Sequence, residues 1–416
     1  MNILYKIVIF ALLSIGLEAT SLKELINITL KNSSNIKAMN YLVKSKEQIL
    51  KSVSNIYSPT LNIGASYTKL DIDVPYNRVG STAVGFAKFE MSLYDGGKNE
   101  AIKRQKRYEF DAAKFDKNAY TKELLRQVIT LFFQTKNIEA NLLAYNEKQK
   151  ALTAELKRAK QKYDIKMVTL DEVLKFKSAL EANRYLIEEL KYQKIDILKN
   201  LSLLVGKNIT KLDAAKLPNI SHLQYRPSSH IKSLQSGLKV AEENIKLSQV
   251  IKKPKIKLED SISRYEYSDY NSNILKDLPD TQNQFALTFS LNLYDTVSKH
   301  KKESAMLAKL SKKEELNYAL SKEKTLFELS KRKLQTKLLK INSAKEALDA
   351  AKSVYKIIKT KYQNGIVDNI AYLDALSKMT TAKAQYLTSK NEYEIAKADC
   401  FFNSGKDYTK FLLLLK

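Results

Sequence analysis

The chain contains its own plan twice. At an offset of about 200 residues, Phe89, Leu93, Tyr94 and Asp95 recur as Phe289, Leu293, Tyr294 and Asp295. Further on, Lys162-Tyr163, Val168 and Leu174 recur as Lys361-Tyr362, Val367 and Leu373. A repeat is one structural unit used twice, so both halves must fold alike. Hydrophobic periodicity reads each half as helix, strand pair, very long helix, break, helix.

Residues 1–19 read as a secretory signal peptide. Met1–Lys6 carries positive charge, Ile7–Leu17 is apolar, and cleavage falls near Ala19. The apolar run is well short of the ~20 residues that span a bilayer, and no later stretch is long enough. Residues 20–206 form the first repeat, 207–229 a linker with Pro218 and Pro227, 230–403 the second repeat and 404–416 a short tail.

In the first repeat, Ser21–Ser58 reads as one helix stopped by Pro59. Strands follow at Thr60–Leu70 and Ala83–Tyr94, where the apolar period changes to two, and Asp95-Gly96-Gly97 breaks the chain. Lys98 to about Tyr163 is one helix with a seam through Leu124, Val128, Leu131, Thr135 and Ile138, stepping four and three like coiled partners. Another helix runs from Leu170 to Val205 and stops at Gly206. In the second repeat His230–Lys252 is helical and Lys255–Tyr267 is a strand whose apolar face Asp260 interrupts. A cleaner strand carries Phe285, Leu287, Phe289, Leu291 and Leu293 on one face. Helices at Lys299–Gln363 and Asn369–Phe402 complete it.

Dimensions turn this plan into an assembly. A helix of about 65 residues is ~100 Å long, and two of the shorter helices end to end match it. The strands have about 10–13 residues, where ~9–11 tilted residues cross a bilayer. Backbone groups in lipid must be paired, so such strands must close into a barrel. Four strands cannot close, about eight leave an interior filled by side chains, and about twelve leave a channel. Three chains are therefore the smallest pore-forming set, with the polar strand face on water and the Leu/Phe face on lipid. The expected fold class is mainly α with a small β part: a long helical coiled-coil barrel plus four transmembrane strands per chain.

Other classes fit less well. The formal charge of +26 would suit a nucleic-acid partner, but the lysines are spread evenly and read as a solvated helix surface. A secreted or soluble basic coiled-coil protein binding nucleic acid is the main alternative, and the signal peptide and strands argue against it. Single-chain porins have many more strands. An enzyme is not expected: the three histidines form no HxxxH or HExxH pattern, and no cofactor or metal site is legible. No phosphate loop is present, since Gly96-Gly97-Lys98 and Gly206-Lys207 lack the rest of it. The single cysteine, Cys400, lies in a helical pattern and reads as a small buried residue.

Several segments carry a resemblance to the TolC-like outer-membrane channel proteins of bacterial efflux and type I secretion. They are Pro59-Thr60-Leu61, the strand exit Leu93-Tyr94-Asp95-Gly96-Gly97, the segment Lys361 to Asp368, and Leu373-Asp374-Ala375. The resemblance implies a homotrimer in outer-membrane lipid, with a 12-stranded barrel and a 12-helix periplasmic tunnel. It implies a periplasmic adaptor (membrane fusion protein) and an inner-membrane pump of RND or ABC type, and no nucleic acid. It places Asp374, Tyr362 and Glu172 at a periplasmic gate, and Gly365 and Lys166 at the tip turns where an adaptor docks. Asp95, Gly96, Gly97 and Asp295 fall at strand-to-helix exits. Departures are Ala371 at a position usually acidic, Val367 in place of a linking arginine, and Lys166 in place of a tip glycine.

Overall fold

The computed structural model describes residues 19–55, 57–70, 78–219 and 223–409. The signal peptide, Pro75, His222 and most of the tail expected beyond Ser404 lie outside them. Among the described residues no helix is long and apolar enough to cross a membrane.

The first repeat runs α1 (Leu22–Asn32), α2 (Ser34–Ser54), β1 (Thr60–Lys69), β2 (Ser81–Tyr94), α3 (Lys98–Asp164) and α4 (Leu170–Val205). The second runs α5 (Ser229–Gln249), a 3-10 turn (Val250–Lys252), β3 (Lys255–Ser268), β4 (Thr281–Ser290), α6 (Val297–Gln363) and α7 (Asn369–Asn403). α3 and α6 have 67 residues each, about 100 Å of helix. The helix expected over Ser21–Ser58 is two helices. Ser33 leaves helical geometry at φ −55 and ψ 120 and is buried, although neither Pro nor Gly marks the break.

The four strands form one antiparallel sheet in the order β1-β2-β3-β4. The register sets Leu61 against Phe89, Phe89 against Asp260, and Asp260 against Phe285, so these residues share one face. Leu61, Ile63, Tyr67, Phe285, Leu287 and Phe289 are exposed on it. Asn62, Lys88, Ser261 and Gln284 lie in one row on the opposite, polar face. Asp260 interrupts the apolar face as its sequence position implies, with one carboxylate oxygen buried and without a hydrogen-bond partner.

The described chain divides into two compact units. One contains the sheet with Tyr41–Phe115 and Ile231–Tyr318. The other gathers the residues up to Asn40, Asp116–His230 and those from Ala319 onward. In this helical unit one core joins Leu25, Ile26, Val128, Phe132, Leu201, Val205, Leu217 and Phe401. The linker is tied to it by a buried ion pair: Glu394 accepts the Leu217 N–H at 2.8 Å, and Lys397 donates to the Leu217 carbonyl at 2.8 Å. The carboxylate and ammonium are 2.7 Å apart and both residues are buried, so charge and backbone satisfy each other.

Candidate gate and tip turns

Each strand-to-helix exit is built by an aspartate. Asp95 accepts the N–H groups of Gly97 at 3.0 Å and Asn99 at 2.7 Å, filling otherwise unpaired donors at the start of α3. Gly96 turns the chain at φ 72, and a side chain there would meet the Lys253 Cβ at 2.6 Å. Asp295 repeats the cap before α6, accepting from Val297 at 2.9 Å and Ser298 at 3.3 Å.

The two helix–helix turns in the helical unit also match. After α3, Met167 N–H bonds the Lys162 carbonyl and Lys166 N–H bonds the Tyr163 carbonyl, both at 2.8 Å. After α6, Ile366 N–H bonds Lys361 at 2.9 Å and Gly365 N–H bonds Tyr362 at 3.1 Å. Both are Schellman closures, which need a left-handed residue just past the helix. Gly365 adopts it at φ 74 without cost, whereas Lys166 adopts it at φ 61 against the clash of its own Cβ. Ile165, Met167 and Ile366 are exposed in these turns.

Tyr362 and Glu172, 190 positions apart, come together: the phenol donates to Glu172 Oε1 at 2.6 Å. Its ring packs against Tyr372 and Phe176 at centroid distances of 5.0 and 6.1 Å. Tyr372 is fully buried and its hydroxyl lies 3.2 Å from that of Tyr355. Burial, and then the hydrogen bond to Glu172, hold the Tyr362 phenol well above its ordinary range. Burial and the bond to Tyr355 do the same for Tyr372. Both phenols therefore stay protonated. A cavity of about 300 Å³ beside them is lined by Glu155, Arg158, Lys162 and Tyr362.

The link has no twin. Tyr163, the repeat mate of Tyr362, is exposed, and Ala371 stands where a second Glu172 would be. Asp374 is apart from the link; its carboxylate is exposed and paired with Lys378 at 2.8 Å. Phe176 and Tyr372 were not singled out in the sequence, although Tyr355 and Tyr362, seven apart on α6, already suggest an aromatic seam.

Residues 25–207, nearly all of the first repeat, match the sequence profile of the family described as outer membrane efflux protein. No curated protein matches. Among solved structures, a membrane protein from Pseudomonas aeruginosa is similar with TM-score 0.81 and 16% identity, covering 92% of this chain and 90% of that one. The outer membrane protein VceC from Vibrio cholerae gives 0.78 and 16%, covering 93% and 96%. The Campylobacter jejuni CmeC outer membrane channel gives 0.80 and 18%, covering 95% and 90%. The chain thus has the fold of the TolC-like outer-membrane channels, and its first repeat carries the sequence mark of the outer membrane efflux proteins.

Proposed function

We propose that three copies of this chain form an exit duct in the outer membrane, through which an inner-membrane pump expels its cargo by way of a periplasmic adaptor. One observation carries the reading. The four strands make a single sheet with β1 and β4 as open edges and one exposed apolar face. Unpaired edges and an apolar stripe are costly in water, and in lipid an open edge is worse. Edge pairing between copies closes the edges, lipid covers the apolar face, and three copies give the twelve strands that a water-filled lumen needs.

Exposed apolar residues along α6, such as Leu307, Leu310 and Leu339, are what neighbouring chains would cover. Ile165, Met167 and Ile366 at the turns suit the adaptor, whose docking Lys166 and Gly365 would frame. Tyr362 with Glu172 is the latch of the closed state, and three copies of Asp374 form an anionic ring at the same end. Energy comes from the pump, of RND or ABC type, and the duct performs no chemistry. Efflux and type I secretion both use such a passive conduit, and the exposed apolar strand face disfavours a soluble coiled-coil protein. The test is native mass spectrometry of the protein extracted from outer membranes in mild detergent. A three-chain mass is expected; a single chain or a detergent-free soluble particle would overturn the reading.

A further inference from the structure

The polar face of the sheet holds a bonded cluster of four charges that the gate does not use, with Lys255 on the same face beyond them. Glu90 on β2 stands directly opposite Glu259 on β3. Two carboxylates so placed repel each other and would weaken the strand pairing. Lys88 and Lys257 lie two residues to either side on the same face and bridge both acids. Lys88 Nζ is 2.8 Å from Glu90 and 3.4 Å from Glu259. Lys257 Nζ is 3.0 Å from Glu90 and also bonds Glu259.

The cluster sits at the end of the sheet that joins the helices. Thr60, the first residue of β1, pairs with Glu90, and Ser290, the last of β4, pairs with Lys255. The opposite face at this level carries Phe89, Met91, Leu258, Leu287 and the interrupting Asp260, while the four charges of the cluster all lie on the polar side. Their side chains keep 25% to 47% of their surface, so they remain open to ions. The charges are not inherited from the repeat: Thr288 and Ser290 occupy the positions equivalent to Lys88 and Glu90. They occur only where the strand pair of one half meets that of the other.

Resting on the trimeric-duct reading, we propose that Lys88, Glu90, Lys257 and Glu259 form a charge-compensated ring in the barrel lumen and that each is a determinant of ion selectivity. Each chain contributes two carboxylates and two ammonium groups, so the four-residue ring is balanced, and Lys255, two residues before Lys257, adds one further ammonium on the same face. The four charges then compensate one another, and among the described residues at this level only Lys255 is left without an acid. Removing one acid leaves an ammonium unbalanced in every chain. A ring of fixed like charges concentrates the opposite ion and excludes its own sign.

The test uses the full-length protein in planar bilayers under a salt gradient. Glu90→Gln should raise chloride over potassium permeability severalfold, and Lys257→Gln should shift it severalfold the other way. The double variant Glu90→Gln/Lys257→Gln should return to the parent value, because the net charge of the ring is again that of the parent. Parent-like reversal potentials in both single variants would overturn the proposal. Single variants that fail to assemble beside an assembling double variant would make the cluster a structural tie and overturn the selectivity role. A parent chain without conductance would overturn the duct reading itself.

Discussion

Replacing Tyr362 by Phe removes one oxygen and leaves the ring in its place against Tyr372 and Phe176. The only bond lost is the 2.6 Å donation to Glu172. A hydrogen bond to a charged acceptor contributes about 1.5–3 kcal/mol net, and the half-exposed setting of this pair brings it to or just below the bottom of that range, about 1–1.5 kcal/mol. Three chains sharing one gate would then lose about 3–4.5 kcal/mol of closed-state stability, a shift of the closed–open equilibrium of roughly a hundredfold or more. Single-channel recording in planar bilayers should show raised conductance. Glu172→Gln, which keeps an acceptor but not the charge, should show a smaller rise. The sign of the pH effect follows from the raised phenol pKa. The bond is fully present below the ordinary tyrosine value of about 10 and is lost only as pH climbs beyond it, so the gate should not loosen between about pH 7 and 9. A Tyr362→Phe trimer that conducts like the parent would refute the latch.

Three further outcomes are open to measurement. Asp374→Ala should weaken cation selectivity and block by multivalent cations, and Lys378→Gln should strengthen both, since Lys378 compensates that carboxylate at 2.8 Å; unchanged reversal potentials would discard the anionic ring. Lys397→Ala strands the buried Glu394 carboxylate and the Leu217 carbonyl, a loss of about 3–5 kcal/mol that thermal melting and protease cutting of the 207–219 linker would report. An unchanged melting temperature would show that the clasp is dispensable. Cys400 is buried and its thiol is pushed up by that burial, so a maleimide at about pH 8 should label the unfolded chain and leave the folded one unlabelled; rapid labelling of the folded protein would contradict the packing of α7.

The amino-acid order alone determined what depends on backbone periodicity and local turns. The change from a period of 3.6 to a period of two located the strands, and duplicated Asp95 and Asp295 located the strand exits. The left-handed closure at Gly365 was legible because glycine is the residue that adopts it freely. Its mate Lys166 was legible only through the resemblance. The Tyr362–Glu172 pair was reached through resemblance, because nothing in the local pattern of either residue points to the other.

Tertiary packing decided the rest. The apolar positions Leu22, Leu25, Ile26, Ile36 and Met39 keep helical spacing through Ser33, so the break between α1 and α2 has no sequence mark. Glu394 and Lys397, three apart on α7, look like an ordinary solvated pair; burial beneath the linker makes them a clasp on Leu217. Tyr372 and Phe176 meet Tyr362 from two other helices, and Lys88, Glu90, Lys257 and Glu259 meet only when β2 pairs with β3. Local geometry is set within a few residues by sterics and hydrogen bonding. Contacts across 170 or 190 positions are set by which surfaces bury one another, and that is settled only when the two repeats fold together.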